Sequence, residues 1–218
     1  VMEEKGVNEL FDAIKKIKTE VGATVIAFVD AKEAILLDLA DYKISYPINE
    51  QLKFFMVADR FMFNNGEFED YEDMYAEFDK YLAQDLVEVE KQAEPFAIEF
   101  AKKHWNDEMH YFVGAGNQWG ATYSYAMCYW EEQLWLKTKS ITSNEFFHGM
   151  FEIVTKETPV TIYIGEDAQR PLSERVANFI PRICANYTII DSKDYELKGI
   201  SEKYRKHLSH HVMHAVNN

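Results

Sequence analysis

Apolar residues first recur at helical spacing. Val7, Leu10, Phe11, Ile14 and Ile17 predict a helix over 2–20, with Gly22 as its stop. Residues 24–30 (TVIAFVD) are a continuous apolar run rich in β-branched side chains, the pattern of a buried parallel strand. A short apolar helix is predicted over 32–39, and the alternating run 41–47, closed by Pro47, reads as an outer strand. Residues 48–104 carry no strand pattern. Leu52, Phe55, Met56 and Phe63 mark one helix, ended by Asn64-Asn65-Gly66, and a second helical pattern runs from Tyr71 to Phe100, with Pro95 expected to kink or restart it. From residue 108 strands and helices alternate. Strands are predicted at 109–113, 139–142, 160–165 and 187–191, and helices at 121–136, 171–184 and 201–216. This order predicts an α/β fold with a doubly wound parallel sheet. In such sheets ligands bind off the carboxyl ends of the strands, which draws attention to the loops 114–117 and 143–148.

Composition narrows the function classes. The chain has 218 residues and a net charge of −14, with no basic stripe, so nucleic acid and anionic membrane are disfavoured as partners. No apolar run approaches the ~18 residues of a membrane span, and no secretory signal is visible. Two cysteines, Cys128 and Cys184, both amid apolar residues, read as reduced core thiols of a cytoplasmic protein. Aromatic residues make up 15% of the chain and fall largely in helical patterns, which points to broad packed faces and an oligomer interface. The chain opens on Val1 and closes inside a helical pattern at Asn218, as a fragment would.

Candidate chemistry concentrates in 114–154. Gly114-Ala115-Gly116-Asn117 follows a strand and precedes a helix, so its N–H groups can face an anion. It is no dinucleotide fingerprint, because the third glycine position is Trp119. Glu131 and Glu132 are adjacent on the next helix and point about 100° apart. One is expected in solvent and the other beside Tyr125, Cys128 and Trp135, and spacing does not choose between them. Glu145 and His148 follow in a second turn. A carboxylate and an imidazole brought to one cleft are what proton transfer on a small molecule requires. The run His207, His210, His211, His214 places imidazoles on one helix face but has no acidic or thiol partner nearby, so it reads as a solvated or partner-facing helix rather than a metal site.

Two stretches carry a resemblance. Residues 143–154 (SNEFFHGMFEIV) resemble the G-E-x-x-H-G-P-x-E-I stretch of the sugar isomerase (SIS) domain family, and 165–175 (GEDAQRPLSER) are similar to its fructosamine-6-phosphate deglycase branch. The start (GATVIAFVD) looks like the close of a first SIS domain. The resemblance implies the end of a first SIS domain over 1–47, a helical connector over 48–104, and a second SIS domain over 105–218 whose tail is missing. It also implies a catalytic glutamate sixteen positions before the motif histidine, which selects Glu132 over Glu131 and pairs it with His148. Gly116, Asn117 and Glu145, from the two loops, are candidate substrate-binding residues. Asn144 and Met150 replace the family's glycine and proline, and Tyr129 replaces the lysine of the synthase branch. The Ser/Thr-rich phosphate loop of the first domain is expected upstream of Val1. The implied activity is cleavage of a 6-phosphofructosamine to hexose 6-phosphate and amine, by a homodimer or larger oligomer, with no metal or organic cofactor. The rivals are a phosphosugar isomerase and a phosphosugar-binding module without catalysis.

Overall fold

The computed structural model describes residues 2–29, 31–45 and 50–218. The chain divides into two compact units, Val1–Glu72 and Asp73–Asn218.

In the first unit, α1 (Met2–Val21) stops at Gly22, whose positive φ of 71° closes the helix. β1 (Ile26–Val29) pairs in parallel with β2 (Tyr42–Ser45). The strand expected over 24–30 is shorter and less buried than its composition suggests. Only Ala27 is buried, because β1 has a neighbour on one edge alone among the described residues. Asp30, Tyr46 and Pro47 of the two expected strands lie outside the described residues. The helix expected over 32–39 contracts to one 3₁₀ turn, Ile35–Asp38. The Asp41 carboxylate accepts from the Lys18 ammonium at 2.8 Å and from the Val25 N–H at 2.8 Å, tying α1 to the start of β2. α2 spans Glu50–Asn64.

A helical run opens with α3 (Tyr71–Glu77), at the division between the units, and continues through a π turn (Phe78–Leu82) into α4 (Ala83–His104). α4 passes through Pro95 without the expected break. Lys91 and Pro95 both face solvent, so the Lys91 carbonyl that Pro95 leaves without a donor can meet water.

The second unit then alternates. β3 (His110–Gly114) leads to α5 (Trp119–Ser124), which widens into a π segment, Tyr125–Gln133. β4 (Thr138–Thr142), α6 (Phe151–Ile153), β5 (Val160–Ile164), α7 (Arg170–Phe179), β6 (Tyr187–Asp191), α8 (Glu202–Arg205) and α9 (Ser209–Asn217) follow. The four strands are parallel in the order β4-β3-β5-β6. The order reverses between β3 and β5, so the loops after these two strands flank the switch point.

Alternation along the strands builds two faces. Val113, Val160, Ile162 and Ile164 pack with Phe146, Met150, Val176 and Ile180 on the side of α6 and α7. His110, Phe112, Thr161 and Tyr163 face the other way, where Phe112 and His110 meet the Trp130 ring and the Tyr163 hydroxyl donates to Asn217 of α9. β5 is buried at every position, as a central strand covered on both faces must be. The helix expected over 201–216 is broken at Leu208. Its second half, α9, packs on α4 and α5 with His210 and His211 buried. The histidine-rich stretch is therefore core, not a solvated face. Among the described residues no helix is long and apolar enough to cross a membrane.

Candidate functional site

The loop after β3 is built as a ligand-binding loop is built. Gly116 has a φ of 70°, and the N–H of the next residue, Asn117, points to a group beside the switch. That group belongs to the protein. The Asp167 carboxylate, from the loop after β5, accepts from the Asn117 N–H at 2.7 Å and from the Gln169 N–H at 2.7 Å. A Cβ at Gly116 would collide with that same carboxylate. The amide expected at a substrate phosphate is thus already bonded to an internal anion, and the Asn117 side chain donates to the Lys206 carbonyl at 3.0 Å.

Glu131 and Glu132 lie near the end of the π segment. Both are exposed, so the expected split between a solvated and a half-buried carboxylate is absent. The widened i→i+5 turn removes the 3.6-residue register on which that expectation rested. Trp135 points into solvent rather than against a carboxylate. Thr138 donates to Glu131, whereas Glu132 has no hydrogen bond or ion pair among the described residues.

The Glu145–His148 turn sits at the carboxyl edge of β4. Ser143 N–H donates to Gly114 O at 2.8 Å, and Glu145 N–H to Thr142 O at 3.0 Å. Phe146 and Met150 anchor the turn in the core, which leaves Glu145 and His148 outside with side chains 57% and 71% exposed. Nδ1 of His148 stands 3.7 Å from Oε1 of Glu145. Gly149, at φ 126°, makes the reversal that turns the imidazole outward. No neighbour obstructs a Cβ there, so the requirement is one of backbone conformation.

These placements separate the two principal candidates. Glu132 closes a helix that descends from the carboxyl edge, and Glu131 beside it bonds Thr138, the first residue of β4. His148 follows the last residue of β4. One chain therefore holds Glu132 and His148 at opposite edges of the sheet, and the single cleft expected to contain both is not formed within it.

One titratable cluster escaped sequence reading. His104 at the end of α4, Asp107 and His110 at the start of β3 converge, with one ligand atom from each within 4.8 Å of the others. The Nδ1 atoms of His104 and His110 lie 2.6 and 3.0 Å from the same Asp107 oxygen, and Nε2 of His110 is 2.8 Å from the Thr161 hydroxyl. Neutral rings protonated at Nδ1 satisfy this network, with Thr161 donating to His110. Burial, opposed by Asp107, pushes the His110 pKa down to about 4. The three residues offer one ligand fewer than the four that close a structural zinc site. The H-x-x-D-x-x-H spacing was the available signal, but it crosses from a helix end into a strand and matches no single period.

Comparison with known proteins follows the same lines. No family model matches the chain. It is 32% identical over 126 residues to the fructosamine deglycase FrlB of Bacillus subtilis (strain 168), covering 58% of this chain and 38% of that protein. It is 28% identical over 109 residues to the fructoselysine 6-phosphate deglycase of Escherichia coli O157:H7, covering 44% of this chain and 32% of that protein. The chain thus matches less than two fifths of the length of these curated relatives. Its fold superposes with a TM-score of 0.83 and 25% identity on a Bacillus subtilis protein provisionally called a phosphosugar isomerase, over 93% of this chain and 65% of that one. The chain has the fold of the SIS-type phosphosugar proteins and, in sequence, resembles the fructosamine deglycases.

Proposed function

We propose that this protein is a 6-phosphofructosamine deglycase, cleaving a sugar-amine phosphate to hexose 6-phosphate and free amine. What supports the reading is the sequence similarity to deglycases, together with two exposed groups at the positions the resemblance assigns: the Glu132 carboxylate, without a hydrogen bond or ion pair among the described residues, and the His148 imidazole. His148 assists opening of the sugar ring, and Glu145 at its side holds the imidazole in place. Glu132 takes a proton from C1, which bears the nitrogen, and returns it to C2. The ketosamine becomes an imine of the aldose, and water adds to that imine to release the amine. Because Glu132 and His148 occupy opposite edges of one sheet, the working site takes one from each of two copies, so the enzyme is a homodimer or a larger assembly. The two free thiols are consistent with a cytoplasmic setting.

Turnover of synthetic 6-phosphofructosamines by the intact protein tests the proposal. Glu132→Gln and His148→Ala are each expected to lower kcat by ~10²–10⁴. Wild-type rates from either variant would end the assignment. Formation of an isomerised amino sugar without free amine would replace it with the isomerase reading.

A further inference from the structure

The helix that carries Glu132 ends on a residue that the local backbone disfavours. Leu134 N–H donates to Tyr129 O at 3.1 Å and Leu136 N–H to Trp130 O at 2.9 Å, and the residue between them turns left-handed to close the helix. Glycine is usual at such a position, because a Cβ is strained there. Here it is Trp135, at φ 57°, the one non-glycine residue with positive φ among those described. Its indole is also 87% exposed. The left-handed conformation is strained, and a ring this exposed gains little from burial to offset it. Strained residues of this kind gather where a ligand is handled.

The ring borders a shallow, open depression at the amino edge of the sheet, lined by Met109, Glu131, Trp135, Leu136, Lys137 and Thr138. Met109, Leu136 and the indole give it an apolar wall. Thr138 holds the Glu131 carboxylate, and the exposed Lys137 is a cation without an ion pair among the described residues. Two carboxylates, Glu131 and Glu132, repel a phosphate from this edge. Glu132 stands three residues before Trp135, so a substrate worked on by Glu132 with its phosphate turned away from this edge has its other end within reach of the indole. That end is the amine substituent, attached to the same C1 from which Glu132 takes its proton.

Resting on the deglycase reading above, we propose that Trp135 is the platform on which the substrate's amine substituent packs, and that it sets which amines the enzyme releases. The apolar stem of that substituent lies against the indole and Met109, and a carboxylate on it lies toward Lys137. Trp135 is a specificity residue and takes no part in proton transfer.

The test compares kcat/KM for two substrates of the intact protein. One is the 6-phosphofructosamine made with a long-chain amino acid, the other the one made with ammonia. In Trp135→Gly the ratio of the first to the second is expected to fall about threefold to tenfold, through KM, the range of one aromatic contact. Trp135→Phe should keep most of the ratio. Trp135→Gly should melt no lower than wild type, since glycine suits the left-handed turn, so loss of folding would not mimic the result. An unchanged ratio overturns the proposal. Equal losses on both substrates with dissociation of the oligomer also overturn it, and assign Trp135 to a subunit contact. Failure of the wild type to release amine from either substrate removes the deglycase reading itself, and with it this role.

Discussion

Mixing two inactive variants should restore activity if each site draws Glu132 and His148 from different copies. β4 alone rises about 13 Å from its first to its last residue. Glu132 lies before its start and His148 beyond its end. Both groups must come within hydrogen-bond reach, about 3 Å, of adjoining substrate atoms. Within one chain the topology leaves the two groups toward opposite ends of β4. In a mixed dimer of Glu132→Gln with His148→Ala, one site has lost both groups and the other has kept both. Random pairing makes half the dimers mixed, so an equal co-expression should recover about a quarter of the wild-type rate. Mixed dimers isolated with two affinity tags should recover about half. Each variant alone should sit ~10²–10⁴ below wild type, so the gain is unmistakable in an assay of released amine. Purified mixed dimers no faster than the better parent would refute the shared site.

Acid should destabilise the second unit before its carboxylates titrate. Burial lowers the pKa of His110 and His210 from 6.5 to about 4 and that of His211 to about 3. The unfolded chain takes up these protons near pH 6.5 while the folded chain resists. Stability is therefore full above that pH and falls as pH drops toward 4, by roughly 3 kcal/mol for His110 alone. Urea midpoints at pH 7.5, 6 and 5 should show this, His211→Leu should flatten the slope, and a pH-independent midpoint would contradict it. Arg205 and Glu166 form a buried two-bonded pair at 2.8 and 2.9 Å. Arg205→Met should cost about 3–5 kcal/mol by stranding the carboxylate, and Glu166→Met added to it should recover much of that loss. Asp167→Ala deprives the Asn117 and Gln169 amides of their acceptor and should cost about 1–3 kcal/mol in thermal or urea unfolding. A cost near zero would mean water replaces the carboxylate.

The parallel sheet of the second unit was legible because its strands are continuous apolar runs and its loops carry glycine. β5 is the clearest case, predicted over 160–165 and found over Val160–Ile164. Where reading failed, a local pattern met a non-local cause. The run at 24–30 looks like a core strand, but among the described residues β1 has a neighbour on one edge only. The histidines of α9 look polar and solvated, yet α4 and α5 bury them as neutral rings. Pro95 announces a break that an exposed helix face absorbs. The glutamates resisted periodicity because the helix holding them is π-wound. Resemblance chose Glu132 by counting back from His148, and counting along a chain says nothing about which edge of a sheet a residue reaches.

That distinction bears on where a substrate lies. The switch point between β3 and β5 is where a fold of this kind offers its best anion cradle. Here Asp167 already completes it, with Gly116 too close to admit any other group without displacing that carboxylate. A phosphate directed to this loop would have to expel a carboxylate held by two amides. The exposed groups of the unit point elsewhere: His148 outward from the carboxyl edge, Glu132 and Trp135 from the amino edge. Under the shared-site proposal, groups at two opposite edges meet when two copies lie side by side in opposite directions, so that each carboxyl edge faces the other copy's amino edge.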